Sequence, residues 1–408
     1  MTLRFDAAVT GIGMISAAGV GVEAGWRRIL GGEPTAARDP ALAGMPVEIT
    51  CRATGFDGAA ALGGRVAWRM DRSAHLAVAA TREAVADAGL RSDDWDAARV
   101  AVVMGTALGG VDVFEQEHRK LLDADARAVS PLLVPMMGLG MIAGNVALDR
   151  GSTGPALTAT TACASGTTAI GLGRELLRAG ACDVAIVGGA ESALSRTIMA
   201  GFSRMGALSG RNHDPAAASR PFDAGRDGFV AGEGAGVLVL ERVEDARARG
   251  ARVRARLSGF ASSADAHHIT APRPDGGSVD QALCEALADA GLLPDEIDHV
   301  NAHGTSTPLN DALEARVVRR VLGDRPVVTS VKGVTGHALG ASGGIEAVCT
   351  VLSLQDGVVP PTANLDRLDD AVELDVVSRR RREVRLRSAV SNSFGFGGLN
   401  AILVFTAA

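Results

Sequence analysis

TTACASGTTAIG, residues 160–171, places Cys163 between a small and β-branched run and a helix-forming continuation with apolar positions at Leu172, Leu176 and Leu177. The composition predicts a strand over 156–161, a sharp turn, and a helix over 168–179. The sulfur then stands at the first turn of the helix, where free N–H groups and a partial positive charge are expected to favour thiolate over thiol. Ala162, Ala164 and Gly166 are small enough to let a substrate approach it. A buried structural cysteine fits the same residues, and the turn alone does not choose between the two.

Outward from this turn the chain alternates strand and helix signals, which defines an α/β protein. Strands are expected at 8–11, 100–104, 184–187, 237–240, 327–331, 389–392 and 401–405, and helices at 73–88, 280–290 and 309–322. The arginine-rich stretch ERVEDARARGARVRARL, 241–257, reads as a solvated connector between two parts of similar character, 1–250 and 251–408.

Composition narrows the function classes. The 408 residues can bury a large core, and 47% hydrophobic with 22% charged residues argues against long disorder. A net charge of −6 argues against nucleic acid as a partner. The five cysteines are odd in number and lack a CxxC pair, which suits a reducing, cytoplasmic compartment and neither a disulfide framework nor a metal site. The N-terminal MTLRFDAAVTGIG lacks the build of a signal peptide and reads as a first strand entering a glycine turn. Residues 128–148 carry no charge, but Pro131, Pro135 and four polar or glycine positions suit a buried interface or the side of an apolar pocket better than a membrane span.

Three further stretches carry chemistry. NAHGTSTPLND, 301–311, sets His303 at the end of an apolar run and before a polar loop, although a lone satisfied histidine is the commoner case. TSVKGVTGHALGASGGIEAV, 329–348, offers Lys332 and His337 among glycines. Lys120 and Lys332 are the only lysines of a chain with 41 basic residues, so a compact ammonium at 332 points to a specific need, with chance survival as the alternative. SNSFGFGGLNAILVF, 391–405, sets Phe394 and Phe396 among glycines, which suits a tight loop facing a cavity better than a central strand.

In order, TACASG, RPFDAGRDGFVAGEGAG, DAHHITAPRPDG, NAHGTSTP, VKGVTGHALGASG and NSFGFGGLNA resemble the condensing enzymes of the thiolase superfamily, specifically the elongating β-ketoacyl-[acyl carrier protein] synthases of fatty acid and type II polyketide synthesis. The resemblance runs from about Val9 to Phe405. It implies a thiolase-like fold of two pseudo-duplicated halves in a five-layered α/β/α/β/α core. It also implies a dimer, either of two copies or with a related chain-length-factor subunit. Cys163, His303 and His337 would form a Cys-His-His triad, with Lys332 nearby and paired with Glu314. The N–H groups of Cys163 and Phe396 would hold the oxyanion. Thr305 and Thr307 would bind a pantetheine arm, with Thr270 in a mobile loop beside them. Leu108, Met137 and Phe202 would line the acyl pocket, with residues 132–141 contributed across the dimer. No metal or organic cofactor is implied beyond the phosphopantetheine of an acyl carrier protein. That carrier is acidic in such pathways, and Arg65, Arg69 and Arg72 would share one face for it if 64–73 is helical.

Departures from the family pattern are Leu399 where Thr is usual, Ala164 where Ser or Thr is frequent, and a Met- and Gly-rich 132–144 segment. They bear on gating and chain length, not on reaction class. A thiolase-type acyltransferase using CoA thioesters would carry a second cysteine in 391–398, and none is there. A starter-type synthase would replace one histidine by Asn, and a chain-length factor would lack the nucleophile; His337 and Cys163 are both present.

Overall fold

The computed structural model describes residues 4–91 and 95–408; Met1, Thr2 and Leu3 of the N-terminal motif lie outside the described residues. The main strands fall into two half-sheets with one plan. In the first, Ala7–Ser16, Val100–Gly105, Ala156–Ala159, Val184–Glu191 and Gly234–Arg242 lie side by side in the order third, second, fourth, fifth, first. In the second, Ala255–Ala264, His299–Asn301, Val327–Thr329, Ser388–Gly395 and Leu399–Ala407 repeat that order. Each half runs its second, third and fourth strands parallel and sets the fifth antiparallel between the fourth and the first. The two first strands pair where Ala7, Ala8 and Val9 meet Leu257, Arg256 and Ala255, which fuses the halves.

Strand Val100–Gly105 shows why the parallel strands read as unbroken apolar runs. Ala101 and Val103 face the core shared with the central helices, while Val100, Val102 and Met104 face an outer core under helix Arg72–Asp87. Both faces are covered, so alternation disappears from the sequence. Helices Ser165–Arg178 and Ser342–Asp356 form the middle layer, each following the third strand of its half. Helix Gly277–Ala290 and helix Pro308–Leu322 cover the outer face of the second half-sheet. The layers are therefore α/β/α/β/α. Small residues in the middle layer are a packing requirement: a Cβ on Gly344 would lie 2.3 Å from the Gly236 carbonyl oxygen.

Three local expectations change. The stretch 241–257 is no solvated connector: its ends belong to strands Gly234–Arg242 and Ala255–Ala264, with helix Val243–Ala248 between, and Arg249 pairs with buried Glu241. Residues 64–73 do not form one helix. A single turn, Gly64–Ala67, stops, and the Asp71 carboxylate accepts from Ser73 N and Ala74 N to start Arg72–Asp87 afresh. Phe394 lies inside strand Ser388–Gly395, paired with Asn400 one residue before the strand ends at the 396–398 turn. The uncharged segment forms Leu133–Met137 and Met141–Arg150, burying Ile142, Ala143 and Val146 but leaving Val134 and Leu148 each 75% exposed on the single chain. Among the described residues no helix is long and apolar enough to cross a membrane.

Candidate active site

Cys163 occupies the turn expected of it. Strand Ala156–Ala159 ends, Ala162 is forced to φ 49°, and a 3₁₀ turn, Ala162–Ala164, leads into Ser165–Arg178. The equivalent turn of the second half repeats this with Leu339 at φ 47° before helix Ser342–Asp356. Left-handed non-glycine residues cost energy and survive where surroundings hold them. Here the two turns face each other across the middle layer and pack Cys163 against Leu339.

The expected preference for thiolate is opposed by burial. Burial pushes the Cys163 thiol up to about 11, against the pull of the Phe396 N–H and the Lys332 ammonium. Helix-end charge is a modest effect, and desolvation of a sulfur anion exceeds it.

His303 and His337 meet at 5.4 Å between ring centroids, nearly perpendicular. His303 follows strand His299–Asn301, and His337 follows the single turn Lys332–Thr335. Burial first, then the Lys332 charge, holds both imidazoles well below their usual range, so both are neutral. Lys332 Nζ donates to the His303 carbonyl oxygen at 2.5 Å and stands 3.5 Å from His303 Nδ1. An ammonium has no lone pair to accept a proton, so Nδ1 is the acceptor and His303 carries its proton on Nε2. His337 Nδ1 has Ser342 Oγ at 2.9 Å. Each ring therefore has one nitrogen engaged by the protein.

The carboxylate partner of Lys332 is Glu346, not Glu314. Glu314 instead accepts from the backbone N–H groups of His303 and Gly304 at 2.8 and 2.7 Å and from Asn392 Nδ2 at 3.1 Å, so it shapes the histidine's loop. Burial pushes both carboxyls up to about 7. Glu346 is the one acidic residue in 329–348, a signal the motif held.

A cavity of about 360 Å³ joins these groups, lined by Cys163, His303, His337, Phe394 and Phe396, with Thr270, Thr305 and Thr307 along its wall. Thr305 and Thr307 hydroxyls lie 2.9 Å apart. Phe396 sits in the hairpin turn whose Gly397 and Gly398 have φ 82° and 69°. A Cβ on Gly395 would lie 2.7 Å from the Thr161 carbonyl oxygen, so only glycine brings this hairpin onto the cysteine turn. The turn is tied to the 265–269 loop by Gly397 N to Ile269 O, 2.9 Å, and Asp265 N to Gly398 O, 2.9 Å. Leu399 pairs in register with Ala264 and Gly395.

On the other side of Cys163, Leu108, Val111, Ile198 and Phe202 form an apolar cluster, and Phe202 approaches the Phe396 ring at 6.5 Å. Met137 stands apart from it on the single chain, 37% exposed, with its backbone against Gly110. Arg65 and Arg69 are exposed, and the Arg69 guanidinium lies 5.3 Å from the Trp68 ring centroid. Arg72 does not share their face. It makes a bidentate pair with fully buried Glu233 at 2.7 and 2.8 Å and donates to the Ala53 carbonyl, so it is a structural residue.

Such a site, a buried cysteine at a left-handed turn sharing a cavity with two neutral imidazoles, fits an acyl-transferring enzyme. Comparison with known proteins agrees: residues 5–246 match the N-terminal domain of β-ketoacyl synthase and residues 254–366 its C-terminal domain, so the chain belongs to the β-ketoacyl synthase family. It is 43% identical over 408 residues to a 3-oxoacyl-[acyl-carrier-protein] synthase 2 of Synechocystis, covering 97% of each chain. Among solved structures, the ishigamide ketosynthase/chain length factor superposes with a TM-score of 0.92 at 35% identity, over 99% of this chain and 100% of that one. A ketosynthase structure bound to a hexaketide, in complex with a type II polyketide acyl carrier protein, gives 0.92 at 29% identity over the same shares.

Proposed function

We propose that this chain condenses an acyl thioester with malonyl-[acyl carrier protein], with Cys163 as the nucleophile. The observation that carries the reading is the convergence of Cys163, His303, His337 and the Phe396 turn on one cavity. The Cys163 sulfur attacks an acyl thioester on a phosphopantetheine arm. The oxyanion is held by the N–H groups of Cys163 and Phe396, and the carrier thiol leaves with the proton. Malonyl-carrier protein then enters along Thr305, Thr307 and Thr270. Loss of carbon dioxide leaves an enolate, whose oxygen takes hydrogen bonds from the free ring N–H groups of His303 and His337. The enolate carbon attacks the acyl-Cys163 carbonyl, and collapse expels the cysteine sulfur, which is reprotonated, giving β-ketoacyl-carrier protein.

No cofactor beyond the carrier's arm is called for, and a cytoplasmic setting is consistent with the reduced cysteines. The acyl chain lies against Leu108 and Phe202. A partner covers edge strand Ala156–Ala159 and the exposed apolar face of 133–148, which brings Met137 into a shared pocket wall; it is a second copy or a related chain-length-factor subunit. Arg65 and Arg69 receive the acidic carrier protein. Incubation with acyl-carrier protein followed by intact-mass measurement tests the core of this reading. Wild type gains one acyl group and Cys163→Ala gains none; an adduct persisting on the alanine variant rejects Cys163 as nucleophile.

A further inference from the structure

Glu191 ends strand Val184–Glu191 with its side chain fully buried. Its carboxylate spans two loops. Oε1 accepts from Thr106 Oγ1 at 3.0 Å, Gly109 N at 3.1 Å and Leu108 N at 3.3 Å. Oε2 accepts from Ala107 N at 2.6 Å, Leu108 N at 3.4 Å and Gly340 N at 3.3 Å. The first loop carries Leu108, and the second carries Leu339 and follows His337 directly. Among the described residues no Lys, Arg or His pairs with this carboxylate; backbone N–H groups and one hydroxyl are its partners.

A buried carboxylate with no cation beside it is costly, and a fold with an apolar alternative at hand gains nothing from it in stability. Its donors explain its presence. Successive N–H groups at 107, 108 and 109 converge on one anion, which pins the loop in a single conformation. Close approach of the two loops depends on the same point, because a Cβ on Gly340 would lie 2.7 Å from Glu191 Oε2 and 2.5 Å from Ala107 N. Leu108 and Leu339 both pack in the apolar cluster around Cys163.

Resting on the condensing function proposed above, we infer that Glu191 is the positioning residue that sets acyl-chain selectivity, by clamping the Leu108 wall to the Leu339 turn. Burial pushes its carboxyl up to about 7, consistent with a carboxylate held by N–H donors without a cation.

Glu191→Gln keeps size and shape but must aim an NH₂ at one of two loops that both present N–H donors, so one loop shifts. Thr106→Val removes only the hydroxyl that donates to Oε1 and accepts from Gly109 N, and it retains the carboxylate. Cys163 acylation rates are measured with carrier-bound acyl chains of stepped length. In Glu191→Gln, preference for the longest accepted chain over one two carbons longer should fall by up to about 15-fold, the factor that the burial of two methylenes is worth. Thr106→Val should move it in the same direction by less. A purely structural role lowers the melting temperature and scales all lengths alike. If both variants keep the wild-type length profile, Glu191 is a structural carboxylate and the inference fails, and an unfolded Glu191→Gln leaves Thr106→Val to decide. Wild-type protein that never acylates rejects the condensing function itself.

Discussion

Removing one member of the Lys332–Glu346 pair is the sharpest test of how the site is wired. Both side chains are about 1% exposed, so Lys332→Met leaves a carboxylate, and Glu346→Leu an ammonium, without its opposite charge in the interior. Loss of one partner from a buried pair costs about 3–5 kcal/mol, whereas replacing both by apolar groups is near neutral. At about 2 °C per kcal/mol for a chain of this size, each single variant should melt roughly 6–10 °C lower, and the double variant Lys332→Met/Glu346→Leu should recover most of that loss. Activity should not follow stability. Lys332 faces His303 Nδ1 at 3.5 Å and fixes the proton on the other nitrogen. Without it, malonyl-carrier decarboxylation should fall by about 100-fold, as for loss of a preorganised donor, in Lys332→Met and in the double variant alike. Urea or thermal unfolding and a carbon dioxide release assay read the two quantities separately. A double variant that regains decarboxylation together with stability would show that Lys332 acts through folding alone.

His303→Ala and His337→Ala should each suppress decarboxylation by about 100-fold or more while leaving Cys163 acylation within about tenfold, because enolate stabilisation belongs to the second half-reaction; equal loss in both half-reactions, followed by intact mass, rejects that division. Iodoacetamide labelling of Cys163 should quicken by about tenfold per pH unit from about pH 7 to 10, since the thiolate fraction grows until pH passes the raised value near 11; a plateau at neutral pH would mean a thiolate at rest. Arg65→Glu with Arg69→Glu should raise KM for carrier-bound substrate and spare a small pantetheine thioester, whereas Arg72→Ala should cost about 3 kcal/mol, the low end for a broken buried pair, because Glu233 keeps Arg52 at 4.0 Å. Leu108→Trp should shorten the products and leave acylation by a short primer nearly unchanged, and a fixed product length with lower stability alone would place Leu108 in the core.

Much of the site was legible because its signals are local. A strand-turn-helix around Cys163, glycines where backbones must touch, and a histidine just past a strand end at 303 are all written within a few residues of the group they serve. Which carboxylate meets Lys332 was not. Glu314 and Glu346 both stand on helices near a histidine loop, and only the packing of the middle layer turns Glu346 toward the ammonium. Arg72 was misread for a like reason: its spacing from Arg69 suggested one face, but the Asp71 cap breaks the helix and redirects the side chain to Glu233.

By itself the sequence showed the α/β alternation and, through its ordered motifs, pointed to Cys163, His303, His337 and the Phe396 turn, which the fold brings to one cavity. Tertiary structure alone decided how they are charged and what holds them. A helix end beside Cys163 favours a thiolate, while enclosure by Ala193, Leu339 and the Leu108 cluster pushes the thiol's pKa up. Periodicity and local partners are properties of neighbours along the chain. Desolvation, and the choice of partner for Lys332, Glu191 and Arg72, depends on residues tens to hundreds of positions away, and only the closed fold brings those to bear.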